Sequence, residues 1–336
     1  MHEAMFYEKK PPGVRCLLCP HFCSLQNGET GICGVRREQG GRLYSENYGL
    51  CAAKALDPVE KKPLYHFYPG RKILSLGTLG CNLQCGFCQN RHLVRRSPEV
   101  DTVLSAPAEV VTMLGQINDC LPVGVAYTYS EPGMWYEFVC DTARAVQESG
   151  YKNVLVTNGF LNKEPLLNML PFIDAFNIDV KAFNDDFYRK ICGGRLKEVQ
   201  RYVEIAAASA HVELTYLVIP TLNDSEQDVR AFVQWVAGLN PAIPVHLSRY
   251  FPQDRFSLPP TPLVTLERLW YVARETLPYV YLGNVPGSLA ANTRCPACGK
   301  ELVLREGYRI TGMLQNGSCP YCGRPSDIFV NSSGSR

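Results

Sequence analysis

Short apolar runs rich in Val, Ile and Tyr alternate along the middle of the chain with longer stretches whose apolar residues recur every three or four positions. The first pattern predicts buried strands and the second predicts amphipathic helices. Candidate strands are Ile73–Leu76, Val123–Tyr127, Val154–Thr157, Ala175–Asp179, Val212–Val218, Val245–Leu247 and Val280–Leu282. Candidate helices are Pro107–Gln116, Met134–Glu148, Glu164–Met169, Lys197–Ala208, Glu226–Leu239 and Val264–Thr276. Ser105-Ala106-Pro107, Asn158-Gly159 and Asn223-Asp224-Ser225 supply breaks and caps at the joints. Strands alternating with helices predict parallel βαβ units, here an α/β barrel or part of one, with function gathered at the carboxyl ends of the strands.

The flanks are patterned differently. Up to about Glu60 the chain is rich in Cys and Gly and poor in periodic runs, and after Pro286 a compact unit runs from Cys295 to Cys322. The last residues, Asn331 to Arg336, are polar and read as unstructured. The expected organisation is a small Cys-rich module over 1–66, a barrel over 67–290, a ribbon-like module over 291–328 and a disordered tail over 329–336. A barrel of about 250 residues with small appendages fits a chain of 336.

Composition narrows the chemistry. Lys and Arg number 34 against 32 Asp and Glu, a net +2, which gives no field suited to nucleic acid or a membrane surface. Met1–Lys10 has no apolar run after its lysines, so no secretory signal is expected. No stretch approaches the roughly 18 apolar residues of a membrane span, and a cytoplasmic location is the expectation. In a reducing compartment, fifteen cysteines argue for metal rather than disulfides. All but Cys51, Cys120, Cys140 and Cys192 fall into three tight clusters. Those four read as small, buried, apolar-like residues.

The central cluster, Cys81-Asn-Leu-Gln-Cys85-Gly-Phe-Cys88, follows the first candidate strand with C-x3-C-x2-C spacing. Three thiolates on one short loop cannot saturate a [4Fe–4S] cluster, because each iron needs a ligand. One iron is left open to a small molecule with an amino and a carboxylate group. The alternative is a zinc knuckle completed by a distant ligand such as His92, although zinc sites more often use paired C-x2-C units. At the amino end Cys16, Cys19, Cys23 and Cys33 form C-x2-C-x3-C-x9-C. Four thiolates suffice for tetrahedral zinc or a closed iron–sulfur cluster, and a zinc staple is the favoured reading. His21 lies between these ligands and reads as a surface residue. Cys295-Pro-Ala-Cys298 and Cys319-Pro-Tyr-Cys322 read as the two zinc knuckles of a ribbon. Glu60-Lys61-Lys62 reads as a charge run, either a solvated face or, from its place just before the first strand, one turned to the active-site mouth, and Tyr127, Tyr129 and Tyr136 read as core or pocket residues.

The C-x3-C-x2-C loop resembles that of the radical S-adenosylmethionine (SAM) superfamily. The resemblance implies a [4Fe–4S] cluster at Cys81, Cys85 and Cys88 that cleaves SAM to methionine and a 5′-deoxyadenosyl radical, which abstracts hydrogen from a substrate. Later strand ends resemble the superfamily's SAM-binding elements. Glu131, in Tyr129-Ser-Glu-Pro132, stands where the family often has Gly-Gly-Glu-Pro, and the two glycines are absent here. Asn158 follows the third strand. Asp179-Val-Lys181 resembles the Asp-Leu-Lys of glycyl-radical activating enzymes such as pyruvate formate-lyase activating enzyme. His246 lies where those enzymes place a SAM-contacting histidine. The implied SAM contacts are thus Glu131, Asn158, Asp179, Lys181 and His246.

Further blocks resemble the radical SAM member of the AmmeMemoRadiSam system: Arg15-Cys16 to Cys23, Gly31 to Arg36, Ala55 to Gly70, Ser248-Arg-Tyr-Phe-Pro252 and Gly283-Asn-Val-Pro-Gly287. The fold class expected is therefore α/β: a partial (β/α)6-type radical SAM barrel with a small N-terminal Cys-rich module and a C-terminal zinc ribbon. The implied cofactors are a [4Fe–4S] cluster, SAM and one or two Zn2+. The implied partners are an electron donor such as flavodoxin or ferredoxin, and a protein substrate or Memo-like or AMMECR-like proteins; the substrate is either another protein, towards which the activase-like elements lean, or a small molecule or modified macromolecule. The competing class is a non-catalytic zinc-binding interaction module, which accounts for the outer cysteine sets and leaves the central spacing unexplained.

Overall fold

The computed structural model describes residues 1–95, 100–118, 121–253 and 256–330. Cys120 and the polar end from Asn331 lie outside the described residues. The core is one eight-stranded sheet. In chain order its strands are β1 (Ala53–Pro58), β2 (Lys72–Gly77), β3 (Gly124–Tyr127), β4 (Lys152–Thr157), β5 (Ala175–Asp179), β6 (His211–Val218), β7 (Val245–Arg249) and β8 (Val280–Gly283). β2 to β8 pair in parallel with each nearest in sequence, and β1 runs antiparallel along the edge of β2. β8 and β1 are the two edges, so the barrel is open.

All seven expected strands form, Ala175–Asp179 to the residue and the others with an end shifted by one or two. The six expected helices form the crossovers: α1 (Pro107–Gly115), α2 (Tyr136–Glu148), α3 (Lys163–Met169), α4 (Leu196–Ala207), α5 (Glu226–Leu239) and α6 (Leu263–Arg274). The parallel strands are buried on both faces, which is why they read as near-continuous apolar runs. Each helix buries one stripe; in α5 it is Val229, Phe232, Val233 and Val236. The Ser225 side chain caps α5 by accepting from the Asp228 amide at 3.1 Å.

The sheet begins before the expected barrel boundary at 67. Ala53–Pro58 joins it because β2 offers an unpaired edge, and a strand with short apolar residues satisfies that edge. The sequence there, Ala-Lys-Ala-Leu-Asp-Pro, carries no clear alternation. The segment from Val59 to Gly70 then turns back into the barrel. Val59, Leu64 and Phe67 pack on inward-facing Ile73, Val123, Val154 and Ala175 and fill the floor of the lumen.

Two small modules flank the sheet at opposite ends. The N-terminal one has two three-stranded sheets and sits at the mouth, against the carboxyl ends of the strands. Arg36 pairs with Glu137 of α2 at 3.0 Å, both almost wholly buried. Asn162, just after β4, donates to the Leu17 carbonyl, and the Pro20 carbonyl accepts from Arg195 at 3.0 Å. The C-terminal ribbon (Thr293–Arg294, Glu301–Glu306, Arg309–Gly312) closes the floor. Tyr279, just before β8, donates to Asp327 at 2.6 Å, and Arg305 donates to the Tyr65 carbonyl at 2.7 Å. Phe329, expected in a disordered tail, is bridged to Phe67, with the Tyr68 amide on its carbonyl at 2.8 Å. Among the described residues no helix is long and apolar enough to cross a membrane.

Candidate active site

The loop after β2 carries Cys81, Cys85 and Cys88, all half-buried. It is held at the mouth by its own backbone and by neighbouring strand ends. Gly80 adopts φ +91°, open to glycine and costly for other residues, and a Cβ there would meet the Cys33 carbonyl at 2.8 Å. The Cys81 sulfur accepts from the Leu83 amide at 3.4 Å and from Asn158 Nδ2 at 3.5 Å. Such N–H···S contacts are a means by which proteins stabilise and tune thiolate-bound clusters.

Glu131, after β3, accepts from three donors. They are the Gly133 amide at 2.9 Å, the Thr157 hydroxyl at 2.7 Å and the Asn158 amide at 2.8 Å. Burial pushes its carboxyl up, against the pull of these bonds. Asn158 donates to Cys81 and to Asn82 Oδ1 at 2.9 Å, so the carboxylate, the amide and the cysteine loop form one continuous network. Asp179 and Lys181 pair at 2.6 Å. Burial works against the Lys181 ammonium, but Asp179 and the thiols of Cys85 and Cys192 hold its pKa well above the ordinary lysine range. Glu131, Asn158, Asp179 and Lys181 are therefore gathered round the cysteine loop.

His246 stands elsewhere. It is 1% exposed, and its Nε2 donates to Glu213 at 2.7 Å. Glu213 also accepts from His211 and from the Tyr65 and His66 amides, and Tyr65 and Tyr281 lie against the His246 ring. The structure thus joins His246 to the floor network rather than to the residues at the cysteine loop. The reason is Glu213, an inward-facing carboxylate on the adjacent strand that collects every nearby donor.

Several residues that face this site carry no motif. Cys192 ends a π-helical turn (Tyr188–Cys192) whose last carbonyl accepts from the Gln84 amide at 2.8 Å. Cys192 is buried, as its scattered position suggests, but its thiol hydrogen-bonds to the free thiol of Cys85 and draws the Cys85 pKa below the usual range. Cys51 is only half-buried, on a short strand outside the core. Tyr129 has φ +70°, a strained conformation for a tyrosine and the one a glycine would take without cost. Its hydroxyl donates to Asp57 at 2.8 Å, and its carbonyl accepts from Asn90 of the cysteine loop at 2.7 Å. Glu60-Lys61-Lys62 is not a solvated run. Glu60 and Lys62 are buried, because Lys62 pairs with Asp57 at 2.8 Å and Glu60 accepts the Gly70 amide.

The donor set fits the group it would hold. Three thiols on one loop, with backbone and amide N–H groups aimed at sulfur and a cation beside them, suit an iron–sulfur cluster with one open corner. They do not form a closed tetrahedral site. Among the described residues, the one set of metal-ligating atoms all within 4.8 Å of one another is Cys295, Cys298, Cys319 and Cys322. There Cys295 lies 3.6 Å from Cys322 and Cys298 lies 3.7 Å from Cys319, so this group is able to bind a metal.

Residues 76–234 match the sequence profile described as the radical SAM superfamily. Over 339 aligned residues the chain is 41% identical to an uncharacterized protein of Methanocaldococcus jannaschii, covering 98% of this chain and 100% of that protein. It is 28% identical to the pyruvate formate-lyase 1-activating enzyme of Escherichia coli over 51% of this chain and 71% of that enzyme. Its fold is similar to that of Streptococcus suis SuiB bound to S-adenosylmethionine, with a TM-score of 0.50 and 16% identity, over 63% of this chain and 52% of SuiB. Cysteine loop, strand-end carboxylate and open parallel sheet agree with that match: the chain belongs to the radical SAM superfamily.

Proposed function

We propose that this chain is a SAM-cleaving enzyme whose cluster sits at Cys81, Cys85 and Cys88, and whose radical product takes a hydrogen atom from a substrate that is itself a protein. The observation that carries the first part is the continuous network from Glu131 through Asn158 to the Cys81 sulfur. When bound, the cluster supplies one electron to the SAM sulfonium, yielding methionine and a 5′-deoxyadenosyl radical.

The chain's own residues position and shield that chemistry. Glu131, whose donors leave one carboxylate lone pair open, is placed to accept from the SAM amino group. Asn158 orients the Cys81 sulfur. Asp179 and Lys181 supply a fixed charge pair beside Cys85 and would bind the SAM carboxylate or ribose. His246 is a SAM contact by resemblance alone; its bond to Glu213 supports a role in holding the lumen wall. The four ribbon cysteines take zinc, since a Zn–S bond of about 2.3 Å in tetrahedral geometry separates sulfurs by about 3.8 Å.

A protein substrate is supported by the likeness to pyruvate formate-lyase activating enzyme and by the Asp179-Val-Lys181 element. The blocks shared with the AmmeMemoRadiSam radical SAM enzymes support Memo-like or AMMECR-like proteins as partners. A flavodoxin or ferredoxin in the cytoplasm would be the electron source.

The test is anaerobic reconstitution followed by incubation with SAM and a strong reductant. Methionine and 5′-deoxyadenosine should appear in equal amounts and fall to background in Cys85→Ala. Iron-loaded protein that yields neither product contradicts the proposal.

A further inference from the structure

The two outer cysteine quartets have the same number of thiols and different spreads. In the ribbon the sulfurs stand 3.6 and 3.7 Å apart, close to the separation of about 3.8 Å that tetrahedral zinc imposes. Cys16, Cys19, Cys23 and Cys33 do not close to that degree, and neither do Cys81, Cys85 and Cys88, since the ribbon is the one set within 4.8 Å among the described residues. In a cubane each sulfur binds its own iron, at its own corner, so the thiols stand farther apart than round a single ion.

The N-terminal thiols nevertheless converge. All four line one cavity, whose remaining wall includes Leu18, Leu25 and Met134. Gly31 leaves the space between two of them open; a Cβ there would sit 3.7 Å from the Cys23 sulfur and 3.8 Å from that of Cys33. The Arg36 guanidinium lines the same cavity, and its buried Nε has no hydrogen-bond partner among the described residues. An apolar shell with one fixed cation suits a negatively charged thiolate cluster.

The pocket is also joined to the central cysteine loop at two points. The Cys33 carbonyl lies against Gly80, the residue before Cys81, where a Cβ would come within 2.8 Å. His21 Nε2 donates to the Asn82 carbonyl at 2.7 Å, and Asn82 is the residue after Cys81. On the outer side Cys23 is half-buried, and its neighbours Phe22 and Ile32 are 38% and 48% exposed.

We propose that Cys16, Cys19, Cys23 and Cys33 hold a second, closed [4Fe–4S] cluster rather than zinc, seated to pass single electrons to the centre at Cys81, Cys85 and Cys88. A flavoprotein or iron–sulfur protein that donates one electron at low potential is oxidised at the Phe22–Ile32 face. The N-terminal cluster goes from the 2+ to the 1+ state and returns to 2+ as the central cluster is reduced. No proton moves and no bond breaks in this relay. The relay's destination rests on the SAM-cleaving reading above, whereas the metal content of the pocket does not.

The experiment uses the full chain. The triple variant Cys81→Ala/Cys85→Ala/Cys88→Ala, reconstituted without oxygen, should retain about four irons and four sulfides per chain, with zinc filling the ribbon alone. Zinc in the N-terminal pocket, with no iron, overturns the site. For the relay, the variant Cys23→Ser, at the solvent edge, is mixed with a reduced flavodoxin in a stopped-flow cell. Reduction of the central cluster should be about tenfold slower than in the unaltered protein. An equal rate overturns the relay. Failure of the unaltered protein to make 5′-deoxyadenosine would remove the SAM-cleaving reading and leave the iron count of the triple variant as it stands.

Discussion

The module at the mouth and the module at the floor each present four cysteines, yet they are attached to the sheet by different means. The ribbon at the floor draws its sulfurs together and fastens on by polar contacts with the turn before β2 and the start of β8: Arg305 to Tyr65, Tyr279 to Asp327, and Phe329 to Tyr68. The module at the mouth keeps its sulfurs apart and leans on the loops that carry the site, through Arg36–Glu137, Asn162–Leu17 and His21–Asn82. Position in the barrel goes with task. At the floor the buried donors of Tyr65, His66, His211 and His246 converge on one acceptor, Glu213, whereas groups at the mouth are left in reach of ligands.

The two ends should differ most when a ribbon cysteine is lost. Cys298→Ser removes one of the four thiols proposed to hold zinc in a unit whose apolar cluster, centred on Leu302, Val303 and Ile328, is too small to hold it folded. The ribbon should unfold cooperatively. Hydrogen exchange should then rise at Tyr68 and Phe329 while Gln84 and Asn158 stay protected. Loss of protection at the mouth as well would mean that the two ends are not independent.

The next largest effect should come from Glu213→Ala. It leaves His211, His246 and two buried amides without their shared acceptor. Removing one partner from such a buried charged network costs about 3–5 kcal/mol. Urea unfolding should show the shift, and a change under about 1 kcal/mol would remove Glu213 as the centre of the floor.

The smallest effect is one of pH. Burial drives His66 down to about 3, and its ring pairs as the neutral form, with Nε2 accepting from the Tyr281 hydroxyl at 2.6 Å. The unfolded chain titrates near 6.5, so between these values it binds more protons than the folded chain. Stability should therefore fall as the pH drops from about 6.5 towards 3, by at most about 1.4 kcal/mol per unit. Burial opposes ionisation of Glu213, but His211 and His246 hold its pKa well below the ordinary 4.5, so its contribution is lost only below that value. The decline between 6.5 and 4.5 should flatten in His66→Gln, and an unchanged slope would exclude His66 as its source.

The regular part of the fold was legible because its cause is local. Parallel strands buried on both faces must be apolar throughout, and their helices must carry one apolar stripe, so Ala175–Asp179 and Glu226–Leu239 were bounded to the residue. The cysteine sets and the strand-end residues were legible because chemistry fixes their spacing. What was hidden depends on contacts between distant segments. Nothing near Cys192 in sequence shows that a π-helical turn brings its thiol to Cys85. Lys62 reads as one of a charged trio until Asp57 and the ring of Tyr129 are placed beside it. Ala53–Pro58 becomes a strand because an edge is vacant, and a single strand's sequence does not report the vacancy. The strain at Tyr129 had one visible signal, the missing glycine before Glu131.

With both proposed clusters in place, the loop of Cys81, Cys85 and Cys88 leaves one iron open for SAM while the N-terminal quartet leaves none. Mössbauer spectroscopy of 57Fe-reconstituted full-length protein, recorded before and after SAM is added, tests it directly. One iron of one cluster should change its isomer shift, and the spectrum of the other cluster should stay as it was. A spectrum that SAM leaves wholly unaltered would contradict the account.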